Sequence, residues 1–324
     1  MSDRLETIKH LLLRWSGVAV FLLLWEIGPR LDWIDPYFVP PFSVVLQEIA
    51  KLYQDGFLGI HLVVSLWRAL LGLATALAVA LPLGFVLGRW LVGTAEALQP
   101  VLTVLSQVNP FSLLPVFVLF FGIGETAKVA VVGWVSLWPI LFYTITATRS
   151  IDPIQVKTAA SMGISREEML LKVILPASLP TVFVGVRMGA TLTFFILVAA
   201  EMLGASAGLG YLVHNSAMNY QIPRIYAGAT FIVILGYLLN RGLVFLERFL
   251  FAWQEGAAFL PRILAEKAHT WRPGRLTTAA AGAALLVFLV AGGFAVQRVN
   301  REAADVSAEG GKHNRHFGQP VGGE

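Results

Sequence analysis

The segment DPIQVKTAASMG, residues 152–163, separates two long apolar runs and carries the signals of a short helix followed by a turn. Asp152 is placed to cap that helix, and Pro153 occupies its first position, where a missing N–H costs little. Gly163 has no Cβ and therefore tolerates the positive φ of a tight turn. We predict a capped helix that ends in this turn.

A second helix is predicted directly after the turn. Ser165 and Glu168 have the spacing of a capping box, in which each side chain accepts a hydrogen bond from the backbone of the other residue. Pro176 is predicted to stop this second helix. Because the two helices stand between apolar runs, we interpret them as a compact hairpin outside the bilayer that another protein holds.

The composition identifies an integral membrane protein. The chain has 324 residues, of which 56% are hydrophobic and 14% charged, and its mean hydropathy is +0.71. Ordinary globular chains carry roughly 25% charged residues. The net charge of +4 is spread over loops, which argues against nucleic-acid binding, and the absence of cysteine excludes disulfide and thiolate chemistry within the chain.

Seven apolar runs approach the roughly 20 residues that a membrane-spanning helix needs. They cover residues 11–28, 62–87, 98–121, 127–148, 179–203, 225–245 and 277–296. We divide the chain into an N-terminal anchor with an external amphipathic segment (1–60), a core (61–253) that contains the hairpin loop (149–178), a cytosolic linker (254–275), an extra membrane helix (276–297) and a disordered tail (298–324). The amphipathic helix is predicted at 44–52, on the membrane surface.

The distribution of basic residues predicts the orientation. With a cytosolic N-terminus, thirteen Lys and Arg residues fall in inside segments and four in outside loops before the tail. Basic residues are enriched on the cytosolic side of membrane proteins. We therefore predict a multi-pass protein with a cytosolic N-terminus and a cytosolic hairpin.

The hairpin resembles the coupling loop, or EAA loop, of ABC importer permeases. The resemblance rests on TAASMG (158–163) followed by VILP (173–176). In detail the chain is similar to the nitrate, sulfonate and taurine branch, through SLWR (65–68) with Gly72, LFFGIGETAK (119–128), GVR (185–187), and AEM (200–202) with GLG (208–210). The match runs in order from about residue 35 to 253. It departs from the motif where Lys157 replaces Glu and Thr158 replaces the first Ala.

This resemblance implies an all-α fold of six core helices, here with one additional C-terminal helix, in the bacterial inner membrane. It implies that the loop fits a cleft on a separate ATP-binding subunit, present in two copies, which carries ATP and Mg. It also implies a second permease subunit, forming a homodimer, and a periplasmic solute-binding protein. The residues expected to contact the ATPase are Lys157, Thr158, Ala159, Ala160, Met162, Gly163, Arg166, Glu167, Met169, Leu170 and Pro176.

The third apolar run contains candidate path residues. Pro110 and Pro115 are predicted to interrupt it, and irregular backbone at membrane depth survives only where protein or water satisfies it. Polar residues cluster around the break: Gln99, Thr103, Ser106, Gln107, Asn109 and Ser112. Two interpretations are open, because these groups either line a solute path or bond to neighbouring helices.

Charged residues within apolar runs suggest functional positions. Arg187 and Glu201 share the fifth run and face the same way, about 21 Å apart along a helix. Either both line the path, or Arg187 extends to the cytosolic headgroups and Glu201 supports the external loop. Arg68 is predicted to extend to the headgroups at the outer end of its span.

The resulting hypothesis is a permease subunit that moves a small anionic solute of the sulfonate, taurine or nitrate type. The chain has no phosphate-binding loop of the Gly-x-x-x-x-Gly-Lys-[Ser/Thr] type, so it is not expected to be an enzyme. The alternatives are a secondary transporter, or a membrane scaffold or sensor that contacts an ATPase. His313 and His316 have no third partner for a metal. The seventh span, with Gly292 and Gly293 on a small-residue face, packs beside the core or against another subunit.

Overall fold

A computed structural model describes residues 2–251 and 286–301. The predicted linker (254–275), the first part of the extra helix (276–285) and the tail from 302 onward lie outside the described residues, as do His313 and His316. The side chains of 2–15, of Arg166 and of 248–250 are also not described.

The described residues are almost entirely helical and contain no β-strand, which confirms the all-α prediction. The helices are α1 (Ser2–Arg30), α2 (Phe42–Gln54), α3 (Phe57–Phe85), α4 (Val92–Ser106), α5 (Pro110–Phe121), α6 (Glu125–Arg149), α7 (Pro153–Ser161), α8 (Arg166–Met169), α9 (Leu175–Met202), α10 (Leu209–Met218), α11 (Ile222–Leu250) and α12 (286–301). Two π turns, Val86–Trp90 and Leu170–Ile174, follow α3 and precede α9.

Within residues 2–251 and 286–301, four helical segments are long and apolar enough to cross a membrane: Phe57–Trp90, Glu125–Arg149, Glu167–Met202 and Ile222–Glu247. The pair α4 and α5 also qualifies as one broken span, with a bend of 90° between its halves. The predicted spans 11–28 and 277–296 fall on α1 and α12, whose side chains are described only from Ser16 and Leu286 onward, so these two stay predictions. The predicted amphipathic helix is α2, which buries Val45 and Leu52 in a cluster with residues of α10 and α11.

The centre of the bundle is a layer of α3, α6 and α9 in close contact. Glycines allow this approach: a Cβ at Gly72 or Gly84 of α3, or at Gly88 of the π turn that follows it, would overlap a side chain of α6, and one at Gly185 of α9 would do the same. Small residues at helix interfaces let membrane helices pack through van der Waals contact, since lipid gives no hydrophobic drive for helix association. Ser136 of α6 and the Thr193 hydroxyl of α9 also share a hydrogen bond.

Replacing Gly84 with leucine is expected to destabilise the bundle by about 1–3 kcal/mol, since the new Cβ would meet Thr144 at 2.6 Å. The matched control is Gly59→Leu in the same helix, where no atom lies within 4 Å of the added Cβ. The measurement is the thermal unfolding midpoint of each purified variant in detergent. Equal midpoints for the two variants would contradict the tight α3–α6 contact.

The predicted stop at Pro176 is wrong. The chain continues as one helical segment from Glu167 to Met202. In the π turn before α9, the Leu175 N–H donates to the Leu170 carbonyl, five residues back. Pro176 then lies in the first turn of α9, where a residue without an N–H is tolerated. The proline is thus accommodated by a local change in hydrogen bonding rather than by a helix end.

Candidate functional site

The predicted helix and turn of the hairpin are confirmed. The Asp152 carboxylate accepts a hydrogen bond from the Ile154 N–H at 2.8 Å, and Pro153 is the first residue of α7. The helix ends at Ser161, and the backbone of Gly163 has φ of +73°, a value that residues with a Cβ rarely adopt. The turn therefore depends on the absence of a side chain at 163.

The predicted capping box is also confirmed. The Ser165 N–H donates to Glu168 Oε2 at 3.2 Å, and the Glu168 N–H donates to Ser165 Oγ at 3.2 Å. Lys172 Nζ lies 2.7 Å from Glu168 Oε1. Both helices of the hairpin thus begin with satisfied backbone donors, which fixes their direction.

The hairpin presents apolar side chains to its surroundings. None of the nine residues of α7 is buried, and the exposed fraction is 70% for Ile154, 78% for Met162 and 61% for Leu171. These three large apolar side chains on one hairpin are candidates for an interaction surface. Ile154 and Leu171 were not among the predicted contact residues, although Ile154, Thr158 and Met162 recur at four-residue spacing along one side of α7.

The other predicted contact residues have mixed exposure. Lys157, Thr158, Ala160, Gly163, Glu167 and Pro176 are exposed, and Ala159, Met169 and Leu170 are half-buried. The Arg166 side chain is not described. The exposed members thus fall on both helices of the hairpin and on the turn between them.

Four charged residues, Arg68, Glu125, Lys128 and Glu201, form a buried charge cluster that joins α3, α6 and α9, and Lys128 Nζ lies 3.3 Å from Glu125 Oε1 within it. Arg68 Nε and Nη2 donate to the two oxygens of Glu125 at 2.5 and 2.7 Å, and Nη1 donates to Glu201 Oε1 at 2.8 Å. Nη1 also donates to the Ala207 carbonyl at 2.6 Å. The prediction that Arg68 extends to the headgroups is wrong, because its guanidinium is buried and bound to two carboxylates.

Glu201 holds the segment that leads into α10. Its carboxylate accepts from Ser65 Oγ at 2.8 Å and from the Gly210 N–H at 3.0 Å. A Cβ at Gly208, where φ is +126°, would overlap this carboxylate. Because Glu201 has no exposed surface in the described chain, these contacts correspond to the alternative in which it supports the loop rather than lining a path.

The start of α10 is fixed by two further polar contacts to α3. The Gly208 N–H donates to His61 Nδ1 at 2.9 Å, and the Leu209 N–H donates to Ser65 Oγ at 2.8 Å. His61, Ser65 and Glu125 were not predicted as functional residues. The quoted segments SLWR and LFFGIGETAK contain two of them, but nothing in a local pattern indicates that they meet.

Arg187 occupies a different environment from Glu201. Its Nη1 lies 2.6 Å from Glu247 Oε2, which joins α9 to α11, and the two side chains remain 34% and 24% exposed. An apolar cavity of about 340 Å³ lies between α3, α9 and α11, and its lining includes Thr191, Tyr237 and Asn240. The apolar pattern predicts Arg187 as a functional position, but no local signal in the sequence indicates Glu247 as its partner.

The predicted break in the third apolar run is confirmed at Pro110 but not at Pro115. The Asn109 side chain accepts from the Phe111 N–H at 2.9 Å and caps α5, which then runs through Pro115 to Phe121. Pro115 lacks the N–H that would donate to the Phe111 carbonyl, and α5 nevertheless continues through it. The polar residues around the break lie at the surface of the chain: Gln99, Thr103, Gln107, Asn109 and Ser112 are exposed, and Ser106 is half-buried.

Two of these polar residues bond within α4. Thr103 Oγ1 donates to the Gln99 carbonyl at 2.8 Å, and Ser106 Oγ donates to the Thr103 carbonyl at 2.7 Å.

Among the described residues, no group of three or more His, Cys, Asp or Glu side chains is arranged to hold a metal ion.

Comparison with known families identifies the class of protein. Residues 76–303 match the family described as binding-protein-dependent transport system inner membrane component. This match spans most of the chain, and the chain belongs to that family.

Three named relatives refine the comparison. The chain is 33% identical over 251 residues to the taurine transport system permease protein TauC of Escherichia coli K12, covering 76% of this chain and 90% of TauC. It is 32% identical to the putative aliphatic sulfonates transport permease protein SsuC of the same organism, covering 76% and 94%. It is 27% identical to the nitrate import permease protein NrtB of a Synechocystis species, covering 71% and 86%.

A solved structure supports the fold. The chain is similar to a chain of the MetNI methionine ABC transporter in an inward-facing conformation, with a TM-score of 0.51 and 18% sequence identity. The alignment covers 57% of this chain and 92% of the other.

Proposed function

We propose that this chain is the membrane-spanning permease subunit of an ATP-driven importer and that the hairpin (149–178) is its contact with the ATPase. The observation that carries the proposal is the capped, exposed hairpin in a chain of a transport family. Small residues at Ala159 and Ala160 permit close approach of a partner surface. Ile154, Met162 and Leu171 supply apolar contact area, and Glu167 and Lys172 form a polar rim.

One helical segment begins in the hairpin and connects the hairpin to the buried charge cluster. The segment Glu167–Met202 has no interruption at Pro176, and Glu201 in its last turn is bound to Arg68 and to the first turn of α10. A displacement of the hairpin by closure of the ATPase is therefore passed along α9 to the loop at its far end. We propose that this rigid-body motion opens and closes the solute path.

We propose that the path follows the exposed polar groups around the α4–α5 break and the α9 surface that carries Arg187. A partly exposed ion pair within a span, such as Arg187–Glu247, is costly against lipid and is placed against protein or water instead. The polar groups at the break are Gln99, Thr103, Ser106, Gln107, Asn109 and Ser112. A second copy of the chain covers this face in the proposed homodimer. Glu201 is not included, since it is buried.

The proposed assembly contains two permease subunits, two ATP-binding subunits that hold ATP and Mg, and a periplasmic solute-binding protein. We place it in the bacterial inner membrane with the N-terminus and the hairpin in the cytosol. The named relatives carry taurine, aliphatic sulfonates and nitrate in their descriptions. We therefore propose a small anion of the sulfonate, taurine or nitrate type as the solute.

The test is uptake by proteoliposomes that contain this chain, its ATPase and its binding protein. We expect uptake of labelled taurine, an alkanesulfonate or nitrate that requires both ATP and the binding protein. Vesicles with ATP but without the binding protein are the control. Uptake without ATP would contradict the proposal. Failure of an ATPase subunit to copurify with this chain would contradict it as well.

A further inference from the structure

The C-terminal helix α12 has one face turned to the bundle and one turned away. The buried or half-buried positions recur with helical spacing: Phe288, Leu289, Gly292, Gly293, Ala295, Val296, Val299 and Asn300. The opposite face is exposed and apolar: Leu286, Val287, Val290 and Phe294. This pattern is typical of a helix that packs on protein along one side and faces lipid on the other.

The inward face of α12 packs against α3. Trp67 Nε1 donates to the Leu289 carbonyl at 2.7 Å, and a Cβ at Gly292 would overlap the Trp67 side chain. One to two turns further on, Val296 is buried in a cluster with Val64 of α3 and Ala207. The absence of a side chain at 292 therefore allows the indole to lie directly on the helix.

The far end of α12 contacts two separate elements through one amide. Ser206 Oγ donates to Asn300 Oδ1 at 2.8 Å, and Asn300 Nδ2 donates to Glu125 Oε1 at 3.4 Å. Ser206 lies in the loop between α9 and α10, and Glu125 is the first residue of α6. The Glu125 side chain is 19% exposed, whereas those of Arg68 and Glu201 have no exposed surface. Asn300 thus lies on the accessible side of the buried charge cluster.

We propose that α12 is a fixed brace of this chain and that Asn300 is a positioning residue. It ties the start of α6 to the loop after α9 and holds Glu125 toward Arg68. The helix is anchored on Trp67 about three turns before Asn300, so its end has a defined position over the cluster. Arg68 joins the same two elements from inside the bundle, and Asn300 joins them from outside. This role goes beyond the proposed transport function and does not depend on the solute.

The brace is tested by cysteine cross-linking, for which the chain is suited because it has no cysteine of its own. The pair is Ser206→Cys with Asn300→Cys in the full chain, assembled with its ATPase in membranes. The matched control is Ser206→Cys with Val290→Cys, which places the second thiol on the exposed face of the same helix. We expect the first pair to form an intramolecular disulfide at least tenfold more than the control pair.

The same variant tests whether the brace is fixed during transport. We expect the oxidised protein to import solute within about twofold of the same protein after reduction, because the disulfide joins parts that do not separate. Three results would overturn the proposal: no cross-linking above the control, a disulfide between two copies, or a disulfide that abolishes transport. The first two are read without any transport assay, so they remain distinct from a failure of the proposed function.

A second variant tests the packing that places Asn300. Gly292→Leu is expected to reduce the cross-linking of Ser206→Cys with Asn300→Cys about tenfold, because the new side chain overlaps Trp67. Adding Trp67→Ala removes the indole and is expected to restore cross-linking. Gly242→Leu in α11 is the control, since no atom lies within 4 Å of its added Cβ. Unchanged cross-linking in Gly292→Leu would contradict the docking.

Discussion

Arg68→Met is expected to destabilise the folded chain by about 3–5 kcal/mol, the usual cost of removing one partner from a buried ion pair. The substitution leaves the Glu201 carboxylate with no exposed surface and with only Ser65 and the Gly210 N–H as donors. A loss of this size lowers the unfolding midpoint by on the order of 10 °C. The measurement is the thermal unfolding of the purified protein in detergent, together with its yield in membranes.

Two controls separate the charge effect from the loss of the side chain. In Arg68→Met combined with Glu201→Gln, the buried carboxylate becomes a neutral amide, and we expect part of the lost stability to return. Arg30→Met removes an exposed partner of Glu26 and is expected to change stability by less than about 1 kcal/mol. If Arg68→Met is as stable as Arg30→Met, the cluster does not hold the bundle together.

Gly163→Val is expected to reduce ATP-driven uptake by about 5–30-fold while leaving membrane insertion intact. The backbone at 163 has φ of +73°, and a residue with a Cβ costs about 1–2 kcal/mol in the left-handed region. A bias of that size lowers the ratio of the native turn to other turn conformations by this factor. The two helices of the hairpin would then meet the ATPase at a different angle. The measurements are uptake and solute-stimulated ATP hydrolysis in proteoliposomes.

Gly163→Asn is the control for conformation, because Asn adopts positive φ more readily than other residues with a side chain. Gly93→Val is the control for side-chain size, since it adds the same group where no atom lies within 4 Å of the new Cβ. We expect both to transport at more than half the rate of the parent chain. Equal uptake by Gly163→Val and Gly163→Asn would exclude the turn conformation as the cause.

The hairpin was predictable because its signals are local. Asp152 bonds to Ile154 and Ser165 bonds to Glu168, so each contact lies within three residues and follows from residue type and spacing. The stop expected at Pro176 failed for a reason that a local pattern does not contain. A π turn shifts the hydrogen bonds before the proline, and the helix continues.

The charge cluster was not predictable because its members are far apart in the chain. Arg68 is separated from Glu125 by 57 residues and from Glu201 by 133. A single arginine near the end of an apolar run is most simply interpreted as reaching for headgroups, and only the packing of α3 against α6 and α9 supplies its partners. The sequence leaves the docking of α12 open in the same way. Its glycines predict a packing face, but they do not indicate which helix packs against that face.

The length of the segment Glu167–Met202 has a consequence for the proposed contact between the hairpin and the ATPase. Its 36 residues rise about 54 Å, whereas a bilayer with its headgroups is about 40–45 Å thick. For a straight crossing along the membrane normal with Glu201 at one surface, the opposite end extends past the other surface by roughly two turns. In that arrangement the proposed docking surface lies clear of the lipid, and a soluble subunit reaches it without displacing phospholipids. We therefore expect the affinity of the ATPase for the hairpin to be insensitive to the fraction of anionic lipid in the vesicle.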